Sequence, residues 1–116
     1  MSNSKINYDG RTFIAKENSE NGEVGEATEF SYHQEDSVFW AEYSGGEVVR
    51  GHLIGTAADN GTLDFHYQHL NEDGEIRIGK CHSVPRKTDN GRLVMDENWQ
   101  WLNGDKSTGT SVVIEK

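Results

Sequence analysis

The sequence predicts an all-β chain, a single antiparallel eight-stranded up-and-down meander closed into a β-barrel. Three observations carry this expectation. Thirteen glycines against one proline punctuate the chain rather than scatter through it: Asp9-Gly10, Asn21-Gly22, Gly45-Gly46, Asn60-Gly61, Asp73-Gly74, Asn90-Gly91 and Asn103-Gly104 are dipeptides suited to tight hairpins, which need positive φ. The segments between them alternate in character, as in Val38-Phe39-Trp40-Ala41-Glu42-Tyr43 and Leu63-Asp64-Phe65-His66-Tyr67-Gln68-His69, which is the period of a half-buried strand. No amphipathic helix of useful length is present.

In order, strands are expected over residues 11–16, 26–34, 38–44, 47–56, 62–70, 75–84, 92–102 and 108–115. The first follows Asp9-Gly10, and Asn21-Gly22 falls between it and the second. Glu35-Asp36 is the weakest turn, and the rest are the Gly dipeptides. Short connections make successive strands antiparallel neighbours, and eight such strands can close and leave no edge. An open, strongly curved sheet folded over on itself is the alternative, against which Gly51, Gly55 and Gly79 speak by allowing sharp bends within strands. At 116 residues the chain is one domain, expected over 6–116 with a flexible tail at 1–5.

If each turn dipeptide is a two-residue loop, the flanking residues face each other and the register follows. Tyr32 then opposes Phe39, Phe39 opposes His52, His52 opposes His69, His69 opposes Ile78, and His82 opposes Trp99. A three- or five-residue loop would flip a strand. The more apolar and aromatic face, assigned to the interior, has a plug near the 35–36, 60–61 and 90–91 turns made of Tyr32, Phe39, Ile54, Leu63, Phe65, Val84, Leu93 and Met95. Towards the other end it carries Tyr43, Arg50, His52, Tyr67, His69 and Lys80, with Glu97, Trp99 and Trp101. These nine are the candidate ligand-binding residues. Two readings of the inward cations stand side by side. Their stems cover the barrel end while their heads reach water or pair with Glu97 or loop carboxylates. Otherwise they line an open mouth, with imidazoles and indoles, that receives a small anionic or planar ligand.

Lys plus Arg number 11 against 20 Asp plus Glu, a formal charge of −9, which excludes nucleic acid held through phosphate contacts and an anionic membrane surface. The first fifteen residues hold no signal-peptide core, and a cytoplasmic location is expected. The single Cys81 forbids an internal disulfide and a multi-cysteine zinc site; it is assigned to the outer wall, with no base directed at it. His66 and His69 fall on opposite strand faces, so their spacing does not converge on a metal. A site from His52 and His69 with Glu97 or His82 is the weaker alternative to neutral imidazoles inside a polar barrel. No metal, cofactor or catalytic residue is expected. Outward Trp40, Val38, Val49 and Leu53 offer a contact for a second copy, hence a homo-oligomer through the Trp40 face.

At Tyr43-Ser44-Gly45-Gly46, Gly51-His52-Leu53-Ile54-Gly55, Trp99-Gln100-Trp101, Gly104-Asp105 and Ser107-x-Gly109 the chain resembles a family of small bacterial proteins often given the automatic name N-acetylglutamate synthase. The resemblance spans roughly residues 6 to 115, and the double-Trp segment is its most specific part. It implies acetyl transfer from acetyl-CoA to glutamate. That chemistry uses a Gln/Arg-x-x-Gly-x-Gly/Ala loop opening a helix, where backbone N–H groups meet the pyrophosphate, and the sequence has no such loop. The expected barrel is also similar in architecture to lipocalin-like and avidin-like (calycin-type) proteins. A small-ligand binder is therefore expected ahead of an acetyltransferase or a non-catalytic interaction module.

Overall fold

The computed structural model describes residues 6–116; the tail expected at 1–5 lies outside them. Eight strands follow one another: β1 (Thr12–Asn18), β2 (Glu29–Glu35), β3 (Val38–Gly45), β4 (Val48–Ala57), β5 (Leu63–Asn71), β6 (Ile76–Lys87), β7 (Leu93–Trp101) and β8 (Thr108–Glu115). Each pairs antiparallel with the next, and β1 also pairs with β8, closing the barrel.

Hairpin geometry decides which face of each strand is inside, and here the expected register needs correction. Asp59-Asn60-Gly61, Glu72-Asp73-Gly74 and Asp89-Asn90-Gly91 are three-residue loops. Ala58 N–H reaches Thr62 O, Asn71 N–H reaches Glu75 O, and Thr88 N–H reaches Arg92 O, at 2.9 Å each. Only the third loop residue, Gly61, Gly74 or Gly91, has positive φ, at 92°, 80° and 83°. A type I turn followed by one left-handed glycine needs just that pattern, whereas a two-residue type I′ loop would also have put the preceding Asn or Asp in the left-handed region. The β3–β4 connection also departs from a two-residue loop at 45–46, because the ladder shifts between Tyr43 and Gly45 and closes with Gly45 opposite Val48.

Each departure inverts the strand that follows, so the errors cancel in pairs. β3, β5 and β7 face as expected, while β4 and β6 are turned over. Gly51, rather than His52, lies opposite His69, and Cys81, rather than His82, lies opposite Trp99. Arg50, His52, Lys80 and His82 are exposed on the outer wall. Ile54 and Val84, expected in the plug, are 61% and 41% exposed.

The inversion gives the interior its packing rule. Odd strands supply large side chains: Phe39 and Tyr43 from β3, Leu63, Phe65 and Tyr67 from β5, and Leu93, Met95, Trp99 and Trp101 from β7. β2 adds Phe30 and Tyr32, and β4, β6 and β8 place glycines beside the rings. Tyr43 faces Gly51, Tyr67 faces Gly79 and Trp99 faces Gly109 across the ladders. A Cβ on Gly79 would lie 2.2 Å from the Tyr67 ring, and one on Gly109 would lie 2.3 Å from Trp99. These glycines leave room for rings leaning across from the neighbouring strand, as small barrels require when large and small residues alternate around a fixed cross-section.

One end is shut by a plug of Tyr32, Phe39, Phe13, Leu93 and Met95. Tyr8, ahead of β1, completes it, fully buried and donating its hydroxyl to Gly61 O. Its ring centroid lies 5.9 Å from Tyr32 and 6.0 Å from Phe39.

Substituting Gly79→Ala should lower unfolding free energy by about 1–3 kcal/mol, the usual cost of forcing extra volume into a packed interior. Urea denaturation measures it, with Gly25→Ala as the control, where no neighbouring atom lies within 4 Å of the added carbon.

Candidate functional site

The other end of the barrel, where the β3–β4, β5–β6 and β7–β8 loops gather, holds a cavity of about 50 Å³. Its walls are aromatic: Phe30, Tyr43, Tyr67, Trp99 and Trp101, with Tyr32 and Phe65 below. Phe30 and Tyr43 stack at 4.9 Å between ring centroids, and Trp101 has Trp99 at 5.5 Å, Tyr67 at 5.7 Å and His69 at 5.9 Å. Burial pushes the Tyr43 and Tyr67 phenols up, so both remain protonated.

The cavity has a polar floor. Glu97, on β7, accepts a hydrogen bond from Ser83 of β6 and another from Ser111 of β8, each 3.0 Å. It is 8% exposed, and burial pushes its carboxyl up to about 7 although both serine bonds favour the anion. Near neutral pH the floor therefore presents a carboxyl that both donates and accepts, a form that suits a polar group on an otherwise apolar guest.

The mouth is covered by the segment between β1 and β2. Trp99 donates its indole N–H to Asn18 Oδ1 at 3.2 Å, and Trp101 donates to Asn21 O at 3.0 Å. Asn21 also reaches Ser107 Oγ and Thr108 O on the far rim. Glu23 turns its carboxylate in, accepting from His69 Nε2 at 2.8 Å and from Arg77 at 2.7 Å, with Asn71 Nδ2 at 3.3 Å from both oxygens. Burial works against the Glu23 anion, but the His69 and Asn71 hydrogen bonds and the Arg77 charge outweigh it and hold the carboxyl below its usual range. Burial drives His69 the opposite way from a cation, lowering its pKa against the pull of Glu23. A neutral His69 donates from Nε2 to the carboxylate and accepts the Tyr43 hydroxyl at Nδ1, 2.9 Å away.

Of the nine candidate residues, Tyr43, Tyr67, His69, Glu97, Trp99 and Trp101 come together around the cavity. Arg50, His52 and Lys80 do not, because β4 and β6 are inverted. His52 pairs with Gln68 on the outer wall at 3.2 Å, and Lys80 flanks a shallow outer concavity with His66 and His82. Neither His52 nor His82 can join His69 at a metal. His82 pairs with Asp64 at 2.6 Å, so it is not a partner of Glu97 either, and among the described residues no three His, Cys, Asp or Glu are gathered for an ion. Cys81 is on the inner wall, not the outer, and burial pushes its thiol well up. In the Trp40 face, Leu53 is buried inside; Val38 and Val49 remain exposed, and Trp40 lies half-buried against His33 at 5.5 Å.

Glu23, Asn18 and Arg77 were missed as site residues. The first two lie on or beside a long connection whose path over the mouth carries no local signal. Arg77 follows from the register once Glu72-Asp73-Gly74 is read as a three-residue loop.

An eight-stranded up-and-down barrel has an interior wide enough to hold one small ligand. The family model described as avidin-like protein matches residues 6–116. The chain belongs to the avidin-like family. Comparison of this avidin-like chain with curated proteins and with solved structures gives no match. The acetyl transfer implied by the sequence resemblance draws no support from the family match, and among the described residues there is no helix for a pyrophosphate loop to open.

Folded Glu97 keeps its proton up to about pH 7, whereas an unfolded carboxyl loses it near its ordinary value of 4.5. Its contribution to stability is thus full below the lower value and lost as pH rises to the upper, about 3 kcal/mol in all. His69 and Glu23, with lowered values, act in the opposite sense, so the effect is read as a difference. Glu97→Gln should match the parent near pH 4 and exceed it near pH 8 by up to that amount in urea denaturation. An equal difference at both pH values would count against a buried, protonated floor.

Proposed function

We propose that the chain is a small-molecule binder that takes a flat ligand into the open end of the barrel, between the indole and phenol rings and above the Glu97 floor. The observation that carries this reading is the chamber itself: aromatic walls around a hydrogen-bonded carboxyl, in a barrel of the avidin-like family, whose members take small ligands. Apolar walls with a few convergent polar groups are the usual make-up of a ligand pocket.

At about 50 Å³ the closed chamber has room for only a few water molecules. Entry therefore requires the β1–β2 segment to lift, which frees the Trp101 indole N–H from Asn21, while Trp99 keeps its bond to Asn18 at the end of β1. The same motion that admits the guest exposes one donor to it. Rings on Tyr43, Tyr67, Trp99 and Trp101 present π-faces or edges, so affinity comes chiefly from flat contact area, and Glu97 orients the guest.

Titration with biotin, indole and benzamide, followed by tryptophan fluorescence and melting temperature, tests this. At least one flat probe should give a saturable quench and raise the melting temperature. Trp99→Leu should weaken that probe about tenfold or more, as loss of a buried aromatic anchor does, and Trp40→Leu on the outer wall should leave its affinity unchanged. The absence of any saturable response across flat probes would refute the reading.

A further inference from the structure

The group that Glu23 occupies at the mouth is arranged like a carboxylate receptor. His69 offers an N–H, Asn71 an amide and Arg77 a guanidinium to the same carboxylate. All three receptor side chains come from the β5–β6 hairpin, whereas Glu23 comes from a connection outside any strand. The His69 side chain is 1% exposed, Arg77 18% and Glu23 13%, so the pairing is shielded from screening by solvent. The receptor is also held without Glu23. Tyr43 fixes the His69 ring through Nδ1, the Arg77 guanidinium lies over the Trp101 ring at 3.9 Å, and Asn71 Oδ1 is anchored by the Asp73 and Glu75 backbone N–H groups.

Glu23 fits this receptor incompletely. Arg77 meets the tethered carboxylate through Nη1 alone, whereas a carboxylate usually takes a guanidinium edge with both oxygens. A free carboxylate, without the constraint of the loop, can take the Nη1–Nη2 edge with both oxygens. His69 and Glu23 both line the aromatic chamber, so a carboxylate held there has its substituent directed among the rings.

We propose that Arg77, His69 and Asn71 form a carboxylate-binding site, filled by Glu23 in the closed chain, and that the ligand is a flat molecule whose carboxylate displaces Glu23. The second half rests on the chamber being a ligand site. Displacement of Glu23 releases the β1–β2 segment, so one event opens the mouth and seats the guest. Glu23 thereby selects against neutral molecules, which cannot compete for Arg77, and keeps the aromatic walls covered in their absence.

Chemical rescue of the full chain tests the site, and a matched acid and amide test the selectivity. Glu23→Ala should melt lower than the parent. Acetate should restore its melting temperature saturably, while acetamide, and chloride at equal ionic strength, should not, and adding Arg77→Gln should abolish the rescue. Benzoate should bind Glu23→Ala about tenfold or more tightly than the parent, since it no longer competes with an internal carboxylate, and benzamide, which gains only the opened mouth and not Arg77, should gain less than benzoate. If Glu23→Ala does not fold, Glu23→Gln, which keeps the size and drops the charge, carries the benzoate comparison. Equal effects of acetate and acetamide, or equal benzoate affinity in parent and variant, overturn the proposal. Neutral flat probes that quench the tryptophans with no preference for carboxylates would leave the chamber reading intact and overturn this one. Benzoate that depends on Arg77 without altering tryptophan fluorescence would uphold the carboxylate site and overturn the chamber reading.

Discussion

Tyr67 lies where a side chain on Gly79 would have to be, and the site follows from that exclusion. An eight-stranded barrel has a fixed, narrow interior. Rings as large as Trp99 and Trp101 enter it only if the adjoining strands withdraw, so Gly51, Gly79 and Gly109 stand directly across from Tyr43, Tyr67 and Trp99. The consequence is a wall of alternating bulk. β2 and the odd strands bring the inward rings, and β6 and β8 bring the small polar groups, Ser83 and Ser111, that reach Glu97 between them.

Two carboxyl groups then divide the chamber by depth. Glu97 at the floor is enclosed by rings and has only hydroxyl partners, so burial dominates and the proton stays on towards neutrality. Glu23 at the mouth meets Arg77, Asn71 and His69, so pairing dominates and the anion is favoured. The contrast follows from their partners. A deep neutral donor and a shallow receptor for negative charge make the chamber polar at both ends and apolar between, which suits a flat body carrying an acid at one end.

The sequence was legible where local rules suffice. Alternation in 38–43 and 63–69 and the Gly-bearing turns were enough for eight strands in meander order. Six of the residues that line the chamber were legible as well, since β3, β5 and β7 carry their large side chains inward. What failed was counting residues in the turns. Asp59-Asn60-Gly61 contains the Asn-Gly of a two-residue hairpin, yet the chain uses Gly61 alone as its left-handed residue, and one extra loop residue turns a strand over. Hydrophobicity could not correct this in β6. Ile76, Ile78 and Val84 are the apolar face of that strand and are exposed, while Gly79, Cys81 and Ser83 face the rings. The rule that apolar residues point inward gives way where the interior is filled from neighbouring strands. Glu23 was beyond reach for a different reason: its contacts with His69, Asn71 and Arg77 span about fifty residues of sequence and depend on the path of a connection with no periodic pattern.

The central claim is that Trp99 and Trp101 wall a closed ligand chamber capped by the β1–β2 segment. Amide and indole hydrogen exchange followed by nitrogen-15 NMR addresses it most directly, because of the chain's three tryptophans Trp101 gives its indole N–H to the cap and Trp99 gives its own to the adjoining end of β1. Slow exchange at Trp99 and Trp101, fast exchange at Trp40, and ligand-induced shifts confined to the first pair are expected. Equal exchange at all three, or a ligand that shifts Trp40 and leaves the other two unmoved, would contradict the account.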